Sequence, residues 1–276
     1  MSDGASSVTP TSTGAIELRH CREIPEFQAC VDLQREVWGF SDADLIPVRM
    51  FVVASKIGGQ VLGAFAGPTL VGFALSIPGS RNGRTYLHSH MLAVHAAYRN
   101  AGLGQRLKLA QRDDAVARGF ELMEWTFDPL EIKNAYLNIE KLGVIVRRYT
   151  LNQYGISSSP LQGGLPTDRC VAEWWLNSER VRGLLERGER PHVQPDKTIS
   201  VPAQIYEWKA DPAKRDRAKE LQSVNRQQFL NGFSSGLAVL GYSRDAEGNG
   251  TYLLARPQEN FEFSSSTEQE TTSTCI

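Results

Sequence analysis

Ile24, Phe27, Val31, Val37 and Trp38 recur at helical spacing, which predicts a helix over Ile24–Trp38. A second, shorter helix follows over 48–57, stopped by Gly58-Gly59. Residues 61–66 and 69–77 are β-branched and apolar, and Gly67-Pro68 between them signals a hairpin. The pattern then gives a strand over 85–94, a helix over 102–118 closed by Gly119, and a strand over 121–127. A helix over 134–142 ends at Gly143, and strands over 144–149 and 169–176 complete this block.

Helix–strand alternation in the middle predicts parallel pairing through a helical crossover, whereas the flanking hairpins predict antiparallel strands. The expected fold is therefore α/β of the α+β type, with a mixed, mostly antiparallel central sheet and helices on both faces. After residue 177 the pattern starts again. It predicts a helix over 178–190, a strand over 198–208, and a long helix over 211–233 with Asp211 as N-cap and Pro212 in its first turn. Strands over 237–243 and 251–255 flank the turn DAEGNG. The chain divides on this reading into a tail (1–14), a main domain (15–177), a C-terminal α/β extension (178–257) and a second tail (258–276). Both tails are poor in apolar residues and rich in Ser, Thr or Gln, which predicts disorder. Whether the extension folds alone or completes the first sheet is open at this level.

Composition narrows the function classes. The 276 residues carry a formal net charge of −1, so no basic footprint for nucleic acid is present. No window reaches the ~20 apolar residues of a spanning helix, and the N-terminus lacks a signal-peptide layout. A cytoplasmic protein is expected. Cys21, Cys30, Cys170 and Cys275 show no metal or disulfide spacing and read as reduced structural thiols, so no metal is expected.

The most informative segment runs from Val94 through Arg99, Asn100, Ala101, Gly102, Leu103, Gly104 and Gln105 to Arg106. Here a strand enters a turn and R-x-x-G-x-G opens a helix. The two glycines keep side chains away from unpaired helix N-terminal amides, which together with the helix dipole suit a pyrophosphate. Arg99 and Arg106 could add charge. A dinucleotide fingerprint would need glycine where Leu107 stands, and a P-loop would need Gly-Lys-Ser/Thr. Glycines serving only a tight turn are the remaining alternative.

This loop, the helix and strand that follow it, and an Asn-Ala helix ending Lys-Leu-Gly resemble the GNAT superfamily of acyl-CoA-dependent acyltransferases over about residues 16–176. The phrases LHSHMLAV, WTFDPL, NAYLNIEKLG, VIVRRY and PTDRCVAEW resemble a bacterial branch of predicted GNAT acetyltransferases that also carries a C-terminal extension. The resemblance implies that the strand before the loop splays from the next one and admits the acyl-pantetheine arm. Met91, Leu92, Ala93 and Val94 would then offer backbone groups to that arm, and Arg99 with Asn100 to Gln105 would hold the pyrophosphate. Asn134 would lie near the thiol end. The implied reaction moves an acetyl or other short acyl group from CoA to a small primary amine such as an amino acid. A non-catalytic acyl-CoA-binding module and a protein or peptide N-acetyltransferase are the alternatives, and a homodimer is compatible with either.

The family's usual acid, a Tyr four residues before the helix-ending glycine, is absent: Ile139 stands there and Tyr136 lies one turn earlier. Tyr136 is the residual acid candidate. For the base, His88 and His90 alternate along their strand and point to one face. His90 ranks first and Glu124, inside an apolar strand, second. Acceptor binding falls to Trp125, Asp128, Asp168 and Arg169. Arg147, Arg148 and Arg169 are the cations available to a dicarboxylic acyl group, and Glu173-Trp174-Trp175 reads as core.

Overall fold

A computed structural model describes residues 15–155 and 157–264. The residues 1–14 and 265–276 of the two expected tails, together with Cys275, lie outside the described residues. Helix α1 spans Ile24–Trp38. Its start is a reciprocal capping box between Glu23 and Glu26, and its end is Gly39 in the left-handed conformation (φ 61°). Helix α2 (Val48–Lys56) follows, and both pack on one face of the sheet through Phe27, Cys30, Val31, Phe51 and Ala54.

Ten strands form one sheet in the order β1-β2-β3-β4-β5-β7-β6-β9-β10-β8. They are β1 (Glu17–His20), β2 (Gln60–Ala66), β3 (Thr69–Arg81), β4 (Arg84–Val94), β5 (Leu122–Phe127), β6 (Ile145–Thr150), β7 (Arg169–Trp175), β8 (Lys197–Val201), β9 (Ala238–Arg244) and β10 (Gly250–Ala255). Among the described residues β4 and β5 make the one parallel pair, and every other neighbour is antiparallel. Helix α3 (Leu103–Ala117) is the crossover between β4 and β5. It buries Leu103 and Leu107 against Leu62, Ala64, Val71 and Ala74, on the face opposite α1. Helices stand on both faces of a mixed, mostly antiparallel sheet, as the pattern predicts.

Helix α4 (Ile132–Tyr136) continues into a π-helical turn, Leu137–Lys141. Beyond β7 come α5 (Glu179–Glu186), α6 (Ile205–Ala210) and α7 (Arg215–Ser234). The extension does not stand apart: β9 pairs with β6 at Val146↔Val239, so β8 to β10 lengthen the same sheet. Its α7 lies on the α3 face, where Phe229 stacks on Tyr149 with ring centroids 5.4 Å apart.

Three local expectations change. The strand expected over 198–208 stops at Val201, and Ile205–Ala210 is helical, because Pro202 cannot donate to a ladder. Asp211 caps a 3-10 turn (Pro212–Lys214), accepting from Ala213 N at 2.9 Å, and α7 begins after it. Residues 258–264, expected to be disordered, pack on the molecule. Phe261 is buried beside Leu122, Ile145 and Trp175, and Glu259 accepts the N–H groups of Glu179 and Arg180 at the start of α5. Ser264 donates to Glu121. No helix among the described residues is long and apolar enough to cross a membrane.

Candidate functional site: a split sheet behind a glycine loop

The ladder between β4 and β5 has two partner pairs, Leu87↔Met123 and His88↔Glu124. Beyond them Ser89–Val94 pairs only with β3, and Trp125–Phe127 only with β7. The two strands therefore diverge into a slot with a closed end at Ser89 and Trp125 and an open end at Val94 and Phe127. A register shift leaves His90 as the extra residue of a β-bulge against β3. His95 N–H bonds Val71 O across β3 at 2.9 Å. By strand alternation the N–H and C=O groups of Leu92 and Val94 face the slot, while those of Met91 and Ala93 face β3.

At the open end stands the glycine loop. Asn100 (φ 61°) and Gly102 (φ 77°) are both left-handed, and Gly102 is the N-cap of α3. The first amides of α3 thus point outward without intrahelical partners. A Cβ on Gly104 would lie 3.8 Å from Leu92 and 3.9 Å from Val94, an ordinary contact. Packing alone does not demand glycine there. Arg99 and Arg106 make no ion pair among the described residues: Arg99 Nε donates to Val94 O and Arg106 Nη2 to Ile16 O. Amides and the helix dipole give this loop a positive potential of the kind that suits an anion.

At the closed end, on the α3 face, lies Lys108, a residue that the apolar and motif patterns do not single out. It is 3% exposed. Its Nζ donates to Ser89 Oγ at 2.7 Å and sits 3.6 Å from the centroid of the Trp125 ring. Ser89 Oγ donates in turn to Gln111 Oε1 at 3.0 Å, and Gln111 O accepts from Gln60 Nε2 at 2.9 Å. The signal available in the sequence was a lysine next to Leu107 and three residues before Gln111, inside the buried stripe of α3.

The other face of the slot carries the charged groups. Glu124 and Glu173, both nearly inaccessible, are partners across β5 and β7. Arg148 reaches both carboxylates, Arg81 binds Glu124, and Arg147 Nη2 binds Glu173 at 2.6 Å. Burial and the charge of Glu173 push the Glu124 carboxyl up against the pull of Arg148 and Arg81. For Glu173, burial acts upward too, but the hydrogen bond and charge of Arg147 prevail and hold it low. His88 and His90 lie beside this cluster, their rings 6.1 Å apart. Burial, then the neighbouring His90 and Lys108, bring His88 down to about 4, and burial also lowers His90. The β6–β7 loop meets the α1–α2 connection through Ser41 N to Ser158 Oγ (3.1 Å) and Ser158 N to Asp44 (3.0 Å), a roof between the two loops. Tyr154 from the same loop hydrogen-bonds Thr126 at 2.8 Å.

The remaining sequence candidates scatter. Tyr136 packs between Lys141 and Arg244 of β9, and β7 and β6 lie between β9 and the slot. It is not brought to the cofactor side of the slot, and Ile139 is core. Asn134 is exposed on α4, whereas Asn138 is buried with its Nδ2 unpartnered. Trp125 is at the closed end, but Asp128 accepts from Lys209 Nζ of α6 at 3.0 Å. Asp168 is fully buried and ties Tyr149, Asn152 N and Arg226 of α7 together. Arg169 donates to the Asp168 carbonyl and to Gln162, so the two residues do not pair through their side chains. Trp125, Asp128, Asp168 and Arg169 therefore do not converge on one acceptor site. Cys21, Cys30 and Cys170 are buried free thiols. Among the described residues no group of three or more His, Cys, Asp or Glu side chains could hold a metal ion.

No curated protein matches this chain. Among solved structures it is similar to the ribosomal-protein-S18-alanine N-acetyltransferase of Escherichia coli, at 13% identity and TM-score 0.48, over 59% of this chain and 96% of that one. It is also similar to yncA of Salmonella typhimurium, solved with its cofactor acetyl-CoA, at 17% identity and TM-score 0.48, over 66% and 99%. An aminoglycoside 6'-acetyltransferase type Ii gives 20% identity and TM-score 0.47, over 59% and 99%. Residues 26–136, from α1 through the slot and loop to α4, match the model of the acetyltransferase (GNAT) family, whose co-substrate is acetyl-CoA. Residues 26–136 are thus similar to the acetyltransferase (GNAT) family, and the elements from β6 onward lie beyond the matched segment.

Proposed function

We propose that this chain transfers the acetyl group of acetyl-CoA to the primary amine of a small acceptor that also bears a carboxylate, an amino acid being the simplest case. One observation carries the reading: an arginine-rich face lies against the slot. Three arginines surround two buried glutamates there, so one positive charge is left over for an acceptor anion. The roof from Ser41 and Asp44 to Ser158 favours a compact acceptor over an extended peptide.

The residues divide the work by face. On the open end, the amides of Asn100 to Gln105, with Arg99, hold the pyrophosphate, and the slot-facing groups of Leu92 and Val94 hold the pantetheine arm. On the arginine-rich face, Arg81 and Arg148 receive the acceptor carboxylate, and Glu124 with Glu173 keeps those guanidiniums in place rather than acting as a base. His90, at the bulge, takes the proton of the attacking amine: its lowered pKa keeps it neutral and able to accept near pH 7. The amine attacks the thioester carbon, the C–N bond forms, the C–S bond breaks, and CoA leaves as the thiol. The extension buttresses the slot through Lys209–Asp128 and Arg226–Asp168.

A thiol-release assay with acetyl-CoA against amino acids, their decarboxylated amines and short peptides tests the proposal. Turnover of amino acids with weaker turnover of the decarboxylated amines is expected. Turnover of peptides alone would overturn the acceptor class, and tight acetyl-CoA binding with no release from any amine would favour a non-catalytic binding module.

A further inference from the structure

Lys108 buries its amino group without a carboxylate partner among the described residues, and it touches both walls of the slot at its closed end. Ser89 and Trp125, its two contacts, are the first residues of β4 and β5 beyond the last paired positions. The hydrogen-bonded chain behind it fixes its direction: Ser89 Oγ gives its own proton to Gln111 and so accepts from Lys108. Gln60 holds the Gln111 carbonyl from the side of β2, and Ser76 holds Gln60. From Val94 to Ser89 is five residues, about 17 Å of strand. An arm that starts at the loop and follows the slot must end where the strands close, beside this amino group.

We propose that Lys108 donates the proton taken up by the departing CoA thiolate. The proposal rests on the acetyl-transfer reading above. As the acceptor nitrogen bonds to the carbonyl carbon, the C–S electron pair leaves on sulfur, and one N–H proton of Lys108 passes to it. CoA departs as the neutral thiol and Lys108 is left as a free amine, which regains a proton from solvent once the slot empties. The acceptor's own proton leaves on the other face, toward His90. Burial lowers Lys108 well below its ordinary range, which makes its proton easier to give up. The charged and titratable groups around it have the placement this requires. His88 lies across β4, the carboxylate of Glu124 is engaged by arginines on the opposite face, and Asp114 of α3 is occupied by Gln60, Arg118 and His20.

The experiment compares the full chain with its Lys108→Met and Lys108→Gln variants in acetyl-CoA calorimetry and steady-state thiol release. Glutamine keeps a hydrogen-bond donor for Ser89 but has no proton to release. Both variants are expected to bind acetyl-CoA within about threefold of the parent, with acceptor KM unchanged and kcat about a hundredfold lower. The alkaline fall of kcat in the parent should be missing from both. If Lys108→Met does not fold, Lys108→Gln decides alone. A Lys108→Gln enzyme with kcat within threefold of the parent, or one that retains the alkaline limb, overturns the assignment. Failure of the parent itself to bind acetyl-CoA or release thiol overturns the acetyl-transfer reading instead.

Discussion

Two buried lysines, Lys108 and Lys209, are nearly equal in exposure, at 3% and 6%, and opposite in circumstance. Lys209 of α6 lies 3.0 Å from Asp128 and 2.8 Å from Glu131. Burial acts to lower its pKa, but the two carboxylates outweigh it and the net displacement is upward. Lys108 has a hydroxyl and an aromatic face instead, and its displacement is strongly downward. Depth therefore does not decide the direction of the shift; the counter-charge does. At Lys209 the protein closes a corner between β5, α4 and the extension. At Lys108 it leaves an amino group without a counter-charge beside the gap in the sheet, an arrangement that packing alone would not retain.

The largest expected effect tests the closed corner. Lys209→Met should leave the buried Asp128 carboxylate without its partner and cost about 3–5 kcal/mol, read as a lower urea midpoint. An unchanged midpoint would break the contrast. Next comes the pH response of the slot. His88 is displaced below its unfolded value to about 4. The unfolded chain therefore binds the proton first, and the stability that the neutral ring supplies is present above pH 6.5 and lost as pH falls toward 4. The loss should reach up to about 3 kcal/mol, and His88→Gln should flatten the melting temperature across that interval.

Smaller effects separate the loop from the slot. Gly102→Ala places a Cβ at φ 77° and should cost about 1 kcal/mol. Gly104→Ala meets only ordinary contacts and should gain about 0.5–1 kcal/mol while weakening acetyl-CoA binding, a split visible by pairing thermal melts with calorimetry. A Gly104→Ala protein that binds acetyl-CoA as well as the parent would show that the loop is only a turn. Smallest of all, Lys108→Met should change stability by under about 1 kcal/mol or raise it. A large loss would place Lys108 in the same class as Lys209.

Some of this was legible in the chain. Helix α1 has the bounds that its apolar period predicts, because a capping box and a left-handed glycine fix both ends locally. The parallel β4/β5 pair follows from the intervening α3, since a crossover leaves no other direction. What failed depends on partners distant in sequence. Strand β1 exists because Glu17–His20 meets β2 as an edge, and nothing within those four residues announces it. The bulge at His90 is a mismatch of register with β3, which β4 alone cannot specify. Tyr136 was placed by its position in a helix, but the π-helical turn and β9 set where its ring rests. Lys108 looks like any solvated lysine until α3 is seated on the slot. Asp168 and Arg169 adjoin in sequence, yet Asp168 takes its counter-charge from Arg226, 58 residues further on.

The junction of β6 with β9 rests on one backbone partner pair, Val146↔Val239, while β3 and β4 share ten. In mechanical terms the ten-stranded sheet has one thin seam in its ladder, backed by a core in which Val146, Trp174, Val239 and Tyr252 pack together. Pulled at its two edges, the sheet should part along the line through Val146 before β3 and β4 unzip. The extension is then a brace held by the shared core as well as by Lys209 and Arg226, placed to stiffen the slot's far wall.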